Sequence, residues 1–268
     1  MHKNFSLEIN NIFIENKDYV FNVSSITIPK IKYNILPSGK YFAENSEFYF
    51  NEISIKPNPQ NLNLLPAHLV LAALGKNAFV FDFDSKVNID NKGFLMTVNA
   101  NLNLEMKGGI KFNFSLNYLV PLHTLNNLEK YQKQFDEYQD SKESLNYEAI
   151  GKDIFSALGS IQLSSLVLNI EDIGLRKPAM MMMSSSTGIT EEESIENINS
   201  VIKAMLSAYI PKHVDEYTST LSKFLKLGGV INLSIKPPHP VHLIGAAGLM
   251  LLPDLAIESL GVTFNHFK

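Results

Sequence analysis

The chain contains no cysteine. That excludes disulfides, thiol catalysis and thiolate metal sites. It leaves the compartment open, because secreted and periplasmic proteins can also lack cysteine. Arginine is almost missing as well: Arg176 stands alone among lysines. Mechanisms that need several guanidinium clamps on phosphate or carboxylate are therefore disfavoured. Lys and Arg number 23 against 27 Asp and Glu, a net charge of −4, so there is no electrostatic case for a nucleic-acid partner. Nucleophile elbows, P-loops, dinucleotide fingerprints and H-E-x-x-H are absent, so no cofactor is expected. The most apolar run, Val241 to Leu252, falls short of the roughly 20 residues of a membrane helix, so no transmembrane segment is expected. No signal peptide is visible: Met1-His2-Lys3-Asn4 leads straight into the alternation of Phe5, Leu7 and Ile9. A chain that enters a strand so early is expected to have lost a leader or an upstream domain.

What is present is alternation. Phe94, Met96, Val98, Ala100, Leu102, Leu104 and Met106 alternate with Leu95, Thr97, Asn99, Asn101, Asn103 and Glu105. Strand side chains point to opposite faces in turn, so this segment has an oily face and an amide face. The Asn residues are expected on the solvated side, far more exposed than Val98, Leu102 and Leu104. Lys107-Gly108-Gly109 is a turn, and Ile110, Phe112, Phe114, Leu116 and Tyr118 continue the pattern on a partner strand. Phe79, Phe81 and Phe83 precede it, closed by a turn at Asp90-Asn91-Lys92-Gly93.

Residues 5–56 also read as strands, with the alternation changing phase at Asn10-Asn11, at Ser24-Ser25 and between Phe50 and Ile53. Phase slips predict bulges that bend the sheet. Turns are expected at Asn16-Lys17-Asp18 and Pro37-Ser38-Gly39. Pro66 and Gly75 bracket a short helix. Leu122, Leu125, Leu128, Phe135 and Tyr138 recur at helical spacing, and a second helix is read through Ile150, Ile154, Phe155 and Leu158. A strand from Ile161 to Ile170 slips at Ser164-Ser165. Thr190 followed by Glu193 is a capping box that opens a helix through Ile195, Ile198, Ile202, Met205, Leu206 and Tyr209. A further helix from Val214 stops at Gly228-Gly229. A strand over 230–236, two short helices and a strand over 262–267 end the chain. Ser54-Ile55-Lys56-Pro57 recurs as Ser234-Ile235-Lys236-Pro237, each followed by a short helix and a strand, an echo that fits an internal duplication or a coincidence in a Lys- and Ile-rich chain.

Candidate chemistry is thin. His239 and His242 are separated by Pro240, and His213 precedes Asp215-Glu216; these read as loop or cap histidines rather than metal ligands. Asn88-x-Asp90-x-Lys92-Gly93 places lysine where a calcium loop needs oxygen. Asp82 and Asp84 fall on the solvated face, and Glu171-Asp172 reads as a turn, so paired-carboxylate catalysis is not favoured. Met180, Met181, Met182 and Met183 form the most unusual run. Methionine suits surfaces that adapt to varied apolar partners, so the run reads either as the lip of an apolar groove or as a buried helical turn before a polar loop, Ser184-Ser185-Ser186.

Leu166-x-Leu168-x-Ile170-Glu171-Asp172-x-Gly174-Leu175, two helices ending at Phe224-Leu225, and Gly229-x-Ile231-x-Leu233-x-Ile235-x-Pro237-Pro238-x-Pro240 resemble uncharacterised envelope proteins of α-proteobacteria. The long strands are similar in style to AsmA-like proteins of the Gram-negative envelope. The resemblance covers roughly residues 160–267 and implies a periplasmic or envelope location and lipid handling; the membrane anchor of AsmA-like proteins is not expected within these residues. The fold expected is α+β: a long, bent antiparallel sheet whose apolar face is packed by amphipathic helices. It divides into a β-rich 1–120, a helical 121–158 and a second α+β half, 159–268, in one continuous domain. The function expected is non-enzymatic binding or passing of a lipid-like ligand along the apolar face, lined by Met96, Val98, Leu102, Phe112 and Phe114, with Met180, Met181, Met182 and Met183 at its lip. The alternative is a structural or adaptor protein that binds a protein partner through a sheet edge or the Met-rich segment.

Overall fold

The computed structural model describes residues 4–35, 41–91, 95–121, 124, 152, 155–156, 159–249 and 251–268. The turns expected at 37–39 and 90–93 and most of the helical segment 121–158 lie outside the described residues in whole or in part. The fold is α+β. Ten strands form one open sheet among the described residues: β1 (Asn4–Glu15), β2 (Tyr19–Ile35), β3 (Tyr41–Pro57), β4 (Phe79–Asn91), β5 (Leu95–Met106), β6 (Ile110–Pro121), β7 (Gln162–Asp172), β8 (Gly229–Ile235) and β10 (Val262–Phe267) in that spatial order, with β9 (Val241–His242) beside β7. Every pairing is antiparallel. Six α-helices are described: α1 (Leu65–Ala73) between β3 and β4, α2 (Arg176–Thr187), α3 (Glu191–Ser207) and α4 (Val214–Leu227) between β7 and β8, then α5 (Leu243–Leu249) and α6 (Pro253–Leu260) before β10.

The alternation sets the central hairpin. Met106 pairs with Ile110 across Lys107-Gly108-Gly109, the Gly109 amide donates to the Met106 carbonyl at 2.9 Å, and Gly108 takes φ +73°. Cross-strand partners share a face. Phe50, Phe83, Leu104, Phe112, Ile170 and Ile231 therefore form one apolar row across six strands. Phe48, Leu102, Phe114, Leu168, Leu233 and Phe264 fall in the next, broken only by Ser85 on β4. The opposite face carries an amide ladder, Asn103–Asn113–Asn169–Asn232–Asn265, in register on β5, β6, β7, β8 and β10. Asp84 extends it: Asn103 Nδ2 donates to Asp84 Oδ2 at 2.7 Å, and Asn232 Nδ2 donates to Asn169 Oδ1 at 2.7 Å.

The expected contrast in exposure between the two faces does not hold. Asn99, Asn101 and Asn103 are half-buried, and so are Leu102 and Leu104; only Val98 is buried. The amides pack and bond against one another across strands, which removes them from solvent, while the described helices leave the middle of the apolar face only half covered.

The three phase slips fall on one line. Asn11 on β1 is level with Ser24 on β2, which is level with Glu52 on β3. Asn11 has φ +58° and Glu52 φ +51°, and Asn51-Glu52 together oppose Asp82 of β4. The Glu52 amide donates to Asp82 Oδ1 at 2.7 Å, and Lys107 Nζ lies 3.1 Å from Glu52 and 3.2 Å from Asp82. Because all three strands change phase together, the residues on both sides of this crease keep their apolar side chains on the same face.

Helices lie on that face. The Tyr217 ring of α4 packs 5.3 Å from Phe264, and Ala246 of α5 and Ala256 and Leu260 of α6 close a core with Leu163 and Ile235, joined by Leu116, Leu166 and Val262. A second core holds Met96, Val98 and Val120, with Val87, Ile89, Tyr118 and Ile161 packed on it. The repeated Ser-Ile-Lys-Pro segments occupy matching positions: Ile55 opposes Phe79 and Ile235 opposes Val262, so each copy ends a strand whose antiparallel neighbour follows after helical segments.

Candidate functional site

The methionine run sits in α2, and the chain builds that helix from both ends. Asp172 closes β7 and its Oδ1 accepts from the amides of Gly174, at 3.2 Å, and Arg176, at 2.9 Å. The Arg176 guanidinium reaches Glu191 Oε1 at 2.7 Å and the Leu225 carbonyl at 2.9 Å. The only arginine thus ties the first turn of α2 to the first turn of α3 and the last turn of α4. At the far end Ser184, Ser185 and Ser186 are helical, not a loop. The hydroxyls of Ser186 and Thr187 donate to the Met183 carbonyl, at 3.0 and 2.7 Å, and Gly188, at φ +72°, stops the helix.

Opposite α2 stands α1, opened by Pro66 in its first turn and followed by Gly75 at φ +64°. Between them lies a cavity of about 670 Å³, lined by Leu69 and Ala73 of α1 and by Pro178, Met181, Met182, Met183, Ser185 and Ser186 of α2. Its walls are mostly apolar, with the two serines supplying the polar part. Met183 also lines a second cavity of about 320 Å³, shared with Ile189, Ile198, Val201 and Ile202 around α3. The start of α3 is the expected capping box: the Glu193 amide donates to Thr190 Oγ1 at 3.1 Å and the Thr190 amide to Glu193 Oε2 at 2.8 Å. The two bonds from Thr190, backbone first, hold the Glu193 carboxyl below its ordinary range. The apolar stripe of α3 divides: Ile195 is buried, whereas Met205 and the cavity-lining Val201 are exposed; the helix ends at Ser207, so Tyr209, expected within it, lies exposed in the following turn.

The nine residues expected to line a ligand site are thus split. Met181, Met182 and Met183 come together at the α1–α2 cavity, and Met180 is buried behind them. Met96 and Val98, 2% and 3% exposed, pack in a core with Val120 and are not among the residues that line the α1–α2 cavity. Leu102, Phe112 and Phe114 are half-buried on the apolar sheet face. The wall formed by Leu69 and Ala73 went unnoticed in the sequence, where a short Leu- and Ala-rich helix carries no mark of its partner.

The carboxylates are occupied by structure. Asp82 bonds Glu52 and Lys107, Asp84 bonds Asn103, Asp172 caps α2, and Glu171 lies opposite Lys111 in register. Desolvation pulls the Lys107 ammonium pKa down, but the bonds it donates to Glu52 and Asp82 together outweigh that and leave it raised. His242 Nδ1 lies 2.8 Å from the Gly159 carbonyl, and His213 lies 3.9 Å from Glu216. Among the described residues no group of three or more His, Asp or Glu is placed to hold a metal. None of the described helices is long and apolar enough to cross a membrane.

An open antiparallel sheet with helices on one face defines an α+β protein with an apolar cavity at its helical layer. Residues 102–266 match the model of a family described as "Uncharacterized protein", and the chain belongs to that family. The match runs from the middle of β5 into β10, so it takes in the Met-rich wall of the cavity but not α1. No curated protein matches the chain.

Proposed function

We propose that the protein is a non-catalytic binder of an apolar chain, such as the acyl chain of a lipid, held in the cavity between α1 and α2. The observation that carries this reading is the cavity itself: about 670 Å³, walled by three consecutive methionines, Pro178, Leu69 and Ala73. Ligand pockets typically span about 300–1,000 Å³ with apolar walls and few polar groups. Methionine side chains are unbranched and polarizable, so one wall fits chains of differing shape. Each buried methylene contributes about 0.8 kcal/mol, so ten would supply about 8 kcal/mol before ordering costs. Ser185 and Ser186 also line the cavity; the Ser186 hydroxyl donates to the Met183 carbonyl, so Ser185 is the one that would donate to a polar head group. The half-covered apolar row through Leu102 and Phe114 is the alternative surface for the same ligand class, to which the ligand would be moved if the cavity proved not to hold it. An envelope location belongs to the same proposal and rests on the resemblance of residues 160–267 alone.

A second reading has its own support. Met205 in the last turn of α3 and Tyr209 in the turn just beyond its end are both exposed, a surface suited to a protein partner. Native mass spectrometry of gently extracted protein, with uptake of a dansylated fatty acid as a second readout, separates the two. A co-purifying lipid mass and saturable probe uptake support the apolar-chain reading. Ligand-free protein that ignores the probe overturns it.

A further inference from the structure

The two edges of the sheet are unlike. β10 has six residues and is backed by α4 and α6. β1 has twelve, and no described element covers its outer side. It also displays large apolar side chains: Leu7 is 39% exposed, Ile9 41%, Phe13 62% and Ile14 55%. Proteins guard an open edge with lysine, proline, short strands or covering elements. Residues 5–15 carry no lysine and no proline. The Asn11 bulge does not turn the edge away, since it continues the crease through Ser24 and Glu52 and the β1–β2 register is unbroken from Leu7 to Glu15.

We propose that two copies of this chain pair antiparallel through β1, about a two-fold axis between Asn10 and Asn11, to make one continuous sheet. The occupant follows from self-complementarity. The phase change sits at the centre of the strand, so Leu7 and Ile9 before it share the apolar face with Ile12 and Ile14 after it. With Asn10 opposite Asn11 of the second copy, Leu7 meets Ile14 and Ile9 meets Ile12, each pair occurring twice. The two creases also join into one. On the other face Glu8 meets Phe13 and Ser6 meets Glu15, so no like charges oppose each other. Moving the register by two residues sets Ile9 opposite Asn10 in one direction and Glu8 opposite Glu15 in the other. Antiparallel pairing of identical strands is isologous, so it closes at two copies and does not propagate. The inference does not depend on what the α1–α2 cavity holds.

Sedimentation from micromolar to near-millimolar concentration reads the oligomeric state, with circular dichroism as the folding control. The wild type is expected to dimerise. Ile9→Lys and Ile12→Glu are each expected to be folded monomers. The double variant is expected to regain the dimer, because each introduced ammonium then faces an introduced carboxylate. A wild type that stays monomeric throughout, or a dimer indifferent to these changes, overturns the proposal; singles that dissociate without rescue overturn the register. Should a charged variant fail to fold, the cysteine-free background supplies a milder test. Ile9→Cys mixed with Ile12→Cys should cross-link on oxidation while neither does so alone. No excess of the mixed cross-link over the unmixed controls overturns the pairing.

Discussion

Replacing Met182 by aspartate tests the cavity most directly. Met182 is half-buried in the middle of α2 and lines the larger cavity, with Leu69 and Ala73 of α1 across from it. It contributes to no buried core, so the loss of folding stability is expected to be about 1 kcal/mol. An ionised carboxyl keeps water around itself, and a bound chain would have to give up contact there. If three methylenes lose their burial, at about 0.8 kcal/mol each, binding weakens by about 2.4 kcal/mol, roughly 50-fold. Titration with a dansylated fatty acid reads the affinity, and a denaturant melt of the same sample reads stability. Leu102→Asp is the control, because Leu102 lies on the sheet face between Ser85 and Phe114 and away from the cavity walls. It is expected to cost more stability and to leave uptake by the folded fraction within a few-fold of wild type. Uptake lost with Leu102→Asp but kept with Met182→Asp would move the ligand to the sheet face. Two variants that bind like wild type would refute the reasoning for both surfaces.

Thr190→Ala removes the acceptor for the Glu193 amide and should cost about 1 kcal/mol, while Thr190→Ser keeps it. For a chain of this length that is a fall in Tm of about 2 °C, and an unchanged melt would show that α3 does not start at its cap. The Glu193 carboxyl, held below its ordinary pKa of 4.5, stabilises the fold above that pH and loses its contribution as the pH falls through the lowered value. The stability gap between wild type and Glu193→Gln should therefore shrink as the pH drops below 4.5, and a gap that widened would contradict the sign. At Glu52, φ +51° inverts the usual strand preference. Both Glu52→Gly and Glu52→Ala lose the Lys107 bridge, but only glycine relieves the left-handed backbone, so the glycine variant should be the more stable by about 1 kcal/mol. Chemical melts of the pair, with alanine ahead, would remove the strain argument for the crease.

Much of the fold was legible because its signals are local. Period-two alternation through 95–106 and 110–118 identified β5 and β6 and placed their turn at Lys107-Gly109. Thr190 and Glu193, and Pro66 with Gly75, bracketed helices from three or four residues of context. The phase slips at Asn10-Asn11, Ser24-Ser25 and Phe50–Ile53 were visible one by one. Their alignment into a crease was not, because register between β1, β2 and β3 is a long-range property. The same limit explains the Asn residues of β5. Alternation says which face a side chain takes, but not that Asn113, Asn169 and Asn232 stand in the same row and shield one another. Ser184-Ser185-Ser186 is a polar loop in one of the two sequence readings, yet the hydroxyls of Ser186 and Thr187 bond inside the helix and Gly188 makes the stop.

The candidate site was half legible for a related reason. Four consecutive methionines mark one wall by composition alone, whereas Leu69 and Ala73 lie more than a hundred residues earlier and share no pattern with them. What converts the run into a wall is how α2 is held. Asp172 receives its first amides, and Arg176 joins its start to Glu191 of α3 and to the Leu225 carbonyl at the end of α4. A guanidinium suits this junction because it makes several directed bonds at once, which an ammonium on a flexible stem does less well. The scarcity of arginine had counted only against phosphate clamps; the single one present proves to be the joint of three helices. With both ends of α2 held and Met180 buried beneath, the unbranched side chains of Met181, Met182 and Met183 are what the helix presents to the cavity opposite α1. On the proposed reading, a fixed helix with adaptable side chains would admit apolar chains of unequal shape and would place selectivity in the volume of the cavity.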